Sequence, residues 1–180
     1  MGSSGPGSLS KSGKERWPLK SGFDAVLNRR IVEIFPGEFF VWNDPRTVVS
    51  TLLGSCVAVC LYDARGVYGM NHFMLPGDLR DEGFLGNVDG RYGVHAMELL
   101  LGGLLGLGAT RADLQAKVFG GGRTVGFESG IAQVNVDFAE AFLKMEGIPI
   151  RAVDTGGKLA RRIYFFPEAD IYVRKIPVND

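Results

Sequence analysis

The chain of 180 residues carries two cysteines and two histidines, Cys56, Cys60, His72 and His95. Cys56 stands in the run LLGSCVAV, directly after Gly54 and Ser55. A glycine at that point permits a sharp bend and a close approach of substrate, and N–H groups exposed at the bend can hold the oxyanion formed when a thiolate attacks a carbonyl. The thiol needs a base within about 3–4 Å. His72, in MNHFMLP, returns beside Cys56 if the β-rich stretches on either side of the DARG turn pair as a hairpin. His95 lies on a helical stretch and is expected to face solvent or a loop, and Cys60, with no glycine bend beside it, reads as a small buried hydrophobe. The plainer alternative stays open for the first pair too: a buried apolar cysteine and a hydrogen-bonded core histidine.

An imidazole that activates a thiol is usually held through its other ring nitrogen. The hydroxyls of Ser50 and Thr51 are the nearest candidates, and strand alternation points only one of them inward. Other chemistry is less well supported. Cys56 and Cys60, four residues apart on a straight strand, lie beyond disulfide reach. The cysteines and histidines lack the close pairings that build a zinc site, so no metal and no organic cofactor are expected. The tract FGGGR (119–123) has neither the Lys-Ser/Thr of a P-loop nor GxGxxG spacing and reads as a tight turn, as does DTGG (154–157) ahead of Arg161.

These residues need a scaffold, and the pattern supplies mostly strands. IVEIF and FFVW precede TVVSTLL and CVAVCLYD, which are pinched apart at Gly54 and Ser55. A further strand runs through VYGMNHFMLP, and the polar, glycine-rich segment 77–90 suits a mobile surface loop. Apolar residues recur at helical spacing from Tyr92 to Leu107, ahead of Gly108. LQAKVF then reads as a strand, VNVDFAEAFLKMEG as a second helix ending at Gly147, IPIRAVD as a strand, and RIYFF with IYVRKI as a closing hairpin. The expected fold is α/β of the α+β kind, a single domain (21–180) of layered mixed sheet flanked by two main helices. Residues 1–20, rich in Gly, Ser and Lys, read as a flexible leader, in part of vector-derived type.

Twenty basic residues balance twenty acidic ones, so no long-range field should draw in nucleic acid or an anionic membrane. No apolar run reads as a membrane span, and no secretory leader opens the chain, which points to a soluble protein of the reducing cytoplasm.

Five blocks, LLGSCVAVCLYD, GMNHFMLPG, YGVHAMELLL, LQAKVFGGG and DTGGKLARRIYF, resemble in order and spacing the chemoreceptor glutamine deamidases of the CheD family, over roughly Ile31 to Lys175. The resemblance implies sheet layers flanked by helices, similar to bacterial toxin deamidases. It also implies a Cys-His-Thr triad that converts receptor glutamines to glutamate. Cys56 then matches the nucleophile and His72 the base, with Gly54 and Ser55 at the oxyanion turn. Counted back from Cys56 without a gap, the family's threonine falls on Ser50, whereas a one-residue shift puts it on Thr51; Ser50 shares strand parity with Cys56, which favours its hydroxyl. Two departures bear on docking. The family's IGxRN block reads here IAQVN (131–135), keeping Asn135 alone of its last two residues, and RTVGF lacks the usual Met-Phe pair. Implied partners are chemoreceptor cytoplasmic helices as substrate and a CheC-type phosphatase. The alternative is a non-catalytic adaptor that binds receptors or such a phosphatase.

Overall fold

The computed structural model describes residues 20–75, 88–123 and 129–177. Among these residues ten strands form two five-stranded sheets. The first has the order β1 (Lys20–Asp24), β2 (Arg29–Glu33), β4 (Thr47–Leu53), β9 (Ala160–Phe165), β10 (Ile171–Ile176). The second has the order β3 (Phe39–Trp42), β6 (Tyr68–Asn71), β5 (Val57–Tyr62), β7 (Gln115–Gly120), β8 (Ile150–Thr155). Most pairings are antiparallel, and β2–β4 and β7–β8 are parallel. Helix α1 (Val88–Gly106) packs on β3 and β6, and α2 (Ser129–Met145) on β5, β7 and β8. The layers are therefore helices, second sheet, first sheet, which agrees with the single layered α+β domain expected from the pattern.

The middle sheet is buried on both faces, which explains why VAVCLY has no polar alternation. Val57, Val59 and Leu61 join the core under the helices, with Phe73, Leu100 and Phe138. Ala58 and Cys60 point the other way, into the core between the sheets with Val49, Leu53, Trp42 and Phe165. The chain changes sheet between Leu53 and Val57, so Gly54, Ser55 and Cys56 form the crossing.

The elements depart from expectation at their ends. Lys20, assigned to the leader, begins β1, whose residues are mostly exposed; pairing with β2, not apolar burial, makes it a strand. Residues 1–19, and 77–87 of the expected loop, lie outside the described residues, while 88–90 already belong to α1. Helix α2 starts at Ser129, five residues before the expected Val134, because buried Ala132 continues backward the face that runs on through Asn135, Val136, Ala139 and Phe142.

Two glycines of α1 separate packing from propensity. A Cβ on Gly93 would lie 2.6 Å from Phe138 Cζ and 2.7 Å from Leu75 Cδ2, whereas one on Gly102 would meet nothing within 4 Å. Gly93→Ala should destabilise by about 1–3 kcal/mol through overpacking. Gly102→Ala should stabilise by about 1 kcal/mol through helix propensity. Thermal melts of the two variants should move in opposite directions.

Candidate active site

Cys56 and His72 approach through the expected hairpin. The β5–β6 pairing, in which Cys60 lies opposite Met70, is extended by a bridge between Val57 and Phe73. Val57 N–H donates to Phe73 O at 3.0 Å, and Phe73 N–H to Val57 O at 2.9 Å. Both bridging side chains lie under the helices, so the residues beside them, Cys56 and His72, alternate to the face between the sheets. They are diagonal neighbours there, a relation of about 7–8 Å between backbones that side chains can span. The His72 backbone is pinned at both ends by the turn before β3: its N–H donates to Glu38 O at 2.9 Å, and its carbonyl accepts from Gly37 N–H at 2.7 Å.

The partner of the imidazole comes from the other sheet. Thr51 Oγ1 lies 2.7 Å from His72 Nδ1 and 2.7 Å from Ile34 O. A carbonyl can only accept, so the single threonine hydrogen goes to Ile34, and the oxygen must accept from Nδ1–H. The imidazole is thereby held as the tautomer whose Nε2 is a free acceptor. Nε2 is buried and has no hydrogen-bond partner among the described residues, which is the condition of a base waiting for a proton.

Of the two hydroxyls, the one that meets the imidazole is that of Thr51, not Ser50. On β4 the inner face is Val49, Thr51 and Leu53, the two apolar members belonging to the core between the sheets. Ser50 lies on the opposite face of β4 between Glu33 and Tyr164, itself buried, and its Oγ makes no hydrogen bond among the described residues. Strand parity could not be counted from Cys56 back to Ser50, because the chain bends and changes sheet between them. His95 is exposed on α1 and lines, with His72, Tyr92 and Leu99, a cavity of about 20 Å³, but no hydrogen bond joins it to Thr51 or to the Cys56 segment among the described residues. Cys60 is fully buried, and both cysteines are free thiols.

Burial governs the charges. It pushes the Cys56 thiol above its ordinary value, with its own backbone N–H acting in the opposite sense. It lowers His72 from 6.5 to about 4. Both effects favour a neutral thiol beside a neutral imidazole.

The crossing that carries Cys56 is braced on three sides. Gly122 N–H donates to Gly54 O and Gly121 N–H to Cys56 O, each at 2.8 Å. Asn135 Nδ2 donates to Ser55 O at 3.0 Å, and Leu75 N–H donates to Asn135 Oδ1 at 2.9 Å. Gly120 has φ 115°, and a Cβ there would fall 2.1 Å from Cys56 O, so any side chain would displace the cysteine. Arg161, only 3% exposed, ties the glycine tract down: Nη1 donates to Gly120 O at 3.0 Å, Nη2 to Gly156 O at 2.7 Å, and Asp154 accepts from its Nε and Nη2. FGGG and DTGG thus support the cysteine, and the N–H groups of Gly121, Gly122 and Gly156 are occupied within the protein.

Sequence reasoning gave Asn135 and Arg161 no part in this frame. The signal for Asn135 was its place on the apolar stripe of α2, where a polar side chain needs partners. Arg161 carried none, since arginine on an alternating strand ordinarily faces water. Among the described residues, no group of three or more His, Cys, Asp and Glu is arranged to hold a metal. None of the described helices is long and apolar enough to cross a membrane.

Comparison with known proteins agrees with this architecture of motifs. Residues 74–175 match the family described as "CheD chemotactic sensory transduction". A Rhizobium johnstonii protein named "Probable chemoreceptor glutamine deamidase CheD" is 50% identical over 139 residues, covering 77% of this chain and 75% of the relative. An Agrobacterium fabrum protein of the same name is 51% identical over 141 residues, covering 76% of this chain and 74% of the relative. With a match over more than half its length and relatives at this level of identity, the chain belongs to the CheD family.

Proposed function

We propose that this chain is a protein-glutamine deamidase that acts in the cytoplasm on the helices of chemotaxis receptors, converting glutamine side chains to glutamate with release of ammonia. The names of the relatives support the substrate class. The observation that carries the chemistry is the Thr51–His72 hydrogen bond, which leaves Nε2 as a free acceptor on the face that Cys56 shares.

In the first half-reaction Nε2 takes the thiol proton as the Cys56 sulfur attacks the glutamine amide carbon. Because both groups are neutral at rest, proton transfer accompanies attack, and no preformed thiolate–imidazolium pair is needed. The Cys56 N–H, at the bend beside the sulfur, is the donor assigned to the oxyanion. Collapse breaks the C–N bond, and the nitrogen leaves as ammonia with the proton from Nε2. Water then attacks the thioester, its proton passing to Nε2 and on to the departing sulfur, which leaves glutamate and the free thiol. A glutamyl methyl ester would enter the same acyl-enzyme with methanol as the leaving group, so ester hydrolysis is expected as a side activity. Through both steps Thr51 holds the ring and stabilises the positive charge that it takes on.

Incubating the protein with a receptor cytoplasmic fragment tests the reading by ammonia release and the mass change of Gln to Glu. Cys56→Ala should abolish turnover. Thr51→Val should lower kcat on the order of 100-fold, Thr51→Ser should retain much of the rate, and Ser50→Ala should match wild type. An active Cys56→Ala protein would overturn the proposal.

Alkylation by iodoacetamide, followed on the Cys56 peptide, should accelerate through the alkaline range. A plateau extending into acid would mean a resting ion pair. The lowered His72 value has a consequence for stability as well. Below pH 6.5 the unfolded chain binds a proton that the folded chain refuses until about pH 4. The stabilisation is thus complete above 6.5, and about 3 kcal/mol is lost as pH falls from 6.5 to 4. Chemical denaturation across that range should be flatter for His72→Gln than for wild type.

A further inference from the structure

Three successive carbonyls at the sheet crossing, those of Gly54, Ser55 and Cys56, each accept a hydrogen bond from the protein. Backbone N–H groups serve the outer two, and a side chain, Asn135 Nδ2, serves the middle one. Its amide orientation follows from its partners: Oδ1 accepts the Leu75 N–H, so the NH₂ must face Ser55 O. Asn135 is fully buried on α2, while the two segments that it joins flank Cys56 and His72.

The Ser55 carbonyl shares a planar trans peptide with the Cys56 N–H, and the two point in opposite directions. Whatever fixes that carbonyl also fixes where the N–H points. We infer that Asn135 is a positioning residue for the oxyanion site: by holding Ser55 O it turns the Cys56 N–H toward the sulfur and the oxygen of the tetrahedral intermediate. Released from Asn135, the peptide can rotate, and the donor leaves the oxyanion while the thiol stays where it is. The inference rests on the deamidase reading for its substrate but not for its geometry.

Two variants test it. Asn135→Ala removes both hydrogen bonds. Asn135→Asp keeps the size and an acceptor for Leu75 N–H but lacks the donor to Ser55 O, and it serves if the alanine variant does not fold. With the receptor fragment, kcat should fall on the order of 100-fold with KM nearly unchanged. Iodoacetamide alkylation of Cys56, which forms no oxyanion, should stay within about threefold of wild type on a folded protein. Butyraldehyde supplies a readout independent of glutamine: the thiol adds across its C=O, forming a C–S bond and placing a hydroxyl oxygen at the oxyanion position. Protection of Cys56 from alkylation by butyraldehyde should weaken at least tenfold in both variants, the effect of about one lost donor at the low end. Unchanged kcat and unchanged protection would overturn the inference. So would parallel losses of kcat, alkylation and melting temperature in both variants, which would make Asn135 a support of the fold alone. If wild type releases no ammonia yet the variants lose aldehyde protection, the deamidase reading falls and the positioning role stands.

Discussion

A threonine hydroxyl has one hydrogen to give, and at Thr51 it is committed to the Ile34 carbonyl. That commitment decides the tautomer of His72, and the tautomer decides which ring nitrogen can take a proton from a thiol. The bond also joins the two sheets, since Thr51 lies on β4 of the first and His72 follows β6 of the second. Its length is therefore set by how the sheets pack, through the layer of Trp42, Val49, Leu53 and Phe165 between them. A buried Nε2 without a partner costs on the order of 1–3 kcal/mol, and the surrounding core must offset it.

The cysteine is placed by a different principle. Its segment has no regular pairing of its own at the crossing, so its carbonyls are held by loops and one helix side chain. Gly120 and Gly121 let two chain segments approach more closely than any side chain would allow. Arg161 then donates to the carbonyls of Gly120 and Gly156, with Asp154 balancing its charge. The result is a cysteine on backbone that is irregular yet braced, facing a histidine on backbone that is nearly regular.

Much of this was legible in the residues. Alternation and turn signals gave the strands, the DARG hairpin, both helices and the tail, because those depend on local pattern and burial. Cys56 beside Gly54, with His72 across a hairpin, was readable for the same reason. The choice between Ser50 and Thr51 was not, since alternation counts faces only along an unbroken strand, and the chain changes sheet at Gly54. Strand β1 escaped notice because its partner, not its composition, makes it a strand. The parts played by Asn135 and Arg161 depend on which distant carbonyls come within reach, and spacing in sequence does not encode that.

The division of the site between two sheets bears on when it can exist during folding. Strand β4 lies between β2 and β9, so the sheet that carries Thr51 is complete only when the chain has reached Phe165. The sheet that carries His72 likewise needs β7, beyond α1. Contacts of such long sequence separation form late. The hairpin can bring cysteine and histidine together early, but with no Thr51 opposite the ring, the tautomer is not fixed and the base is not made. On the proposed reading, a nascent or partly unfolded chain thereby lacks its base until its own fold is closed.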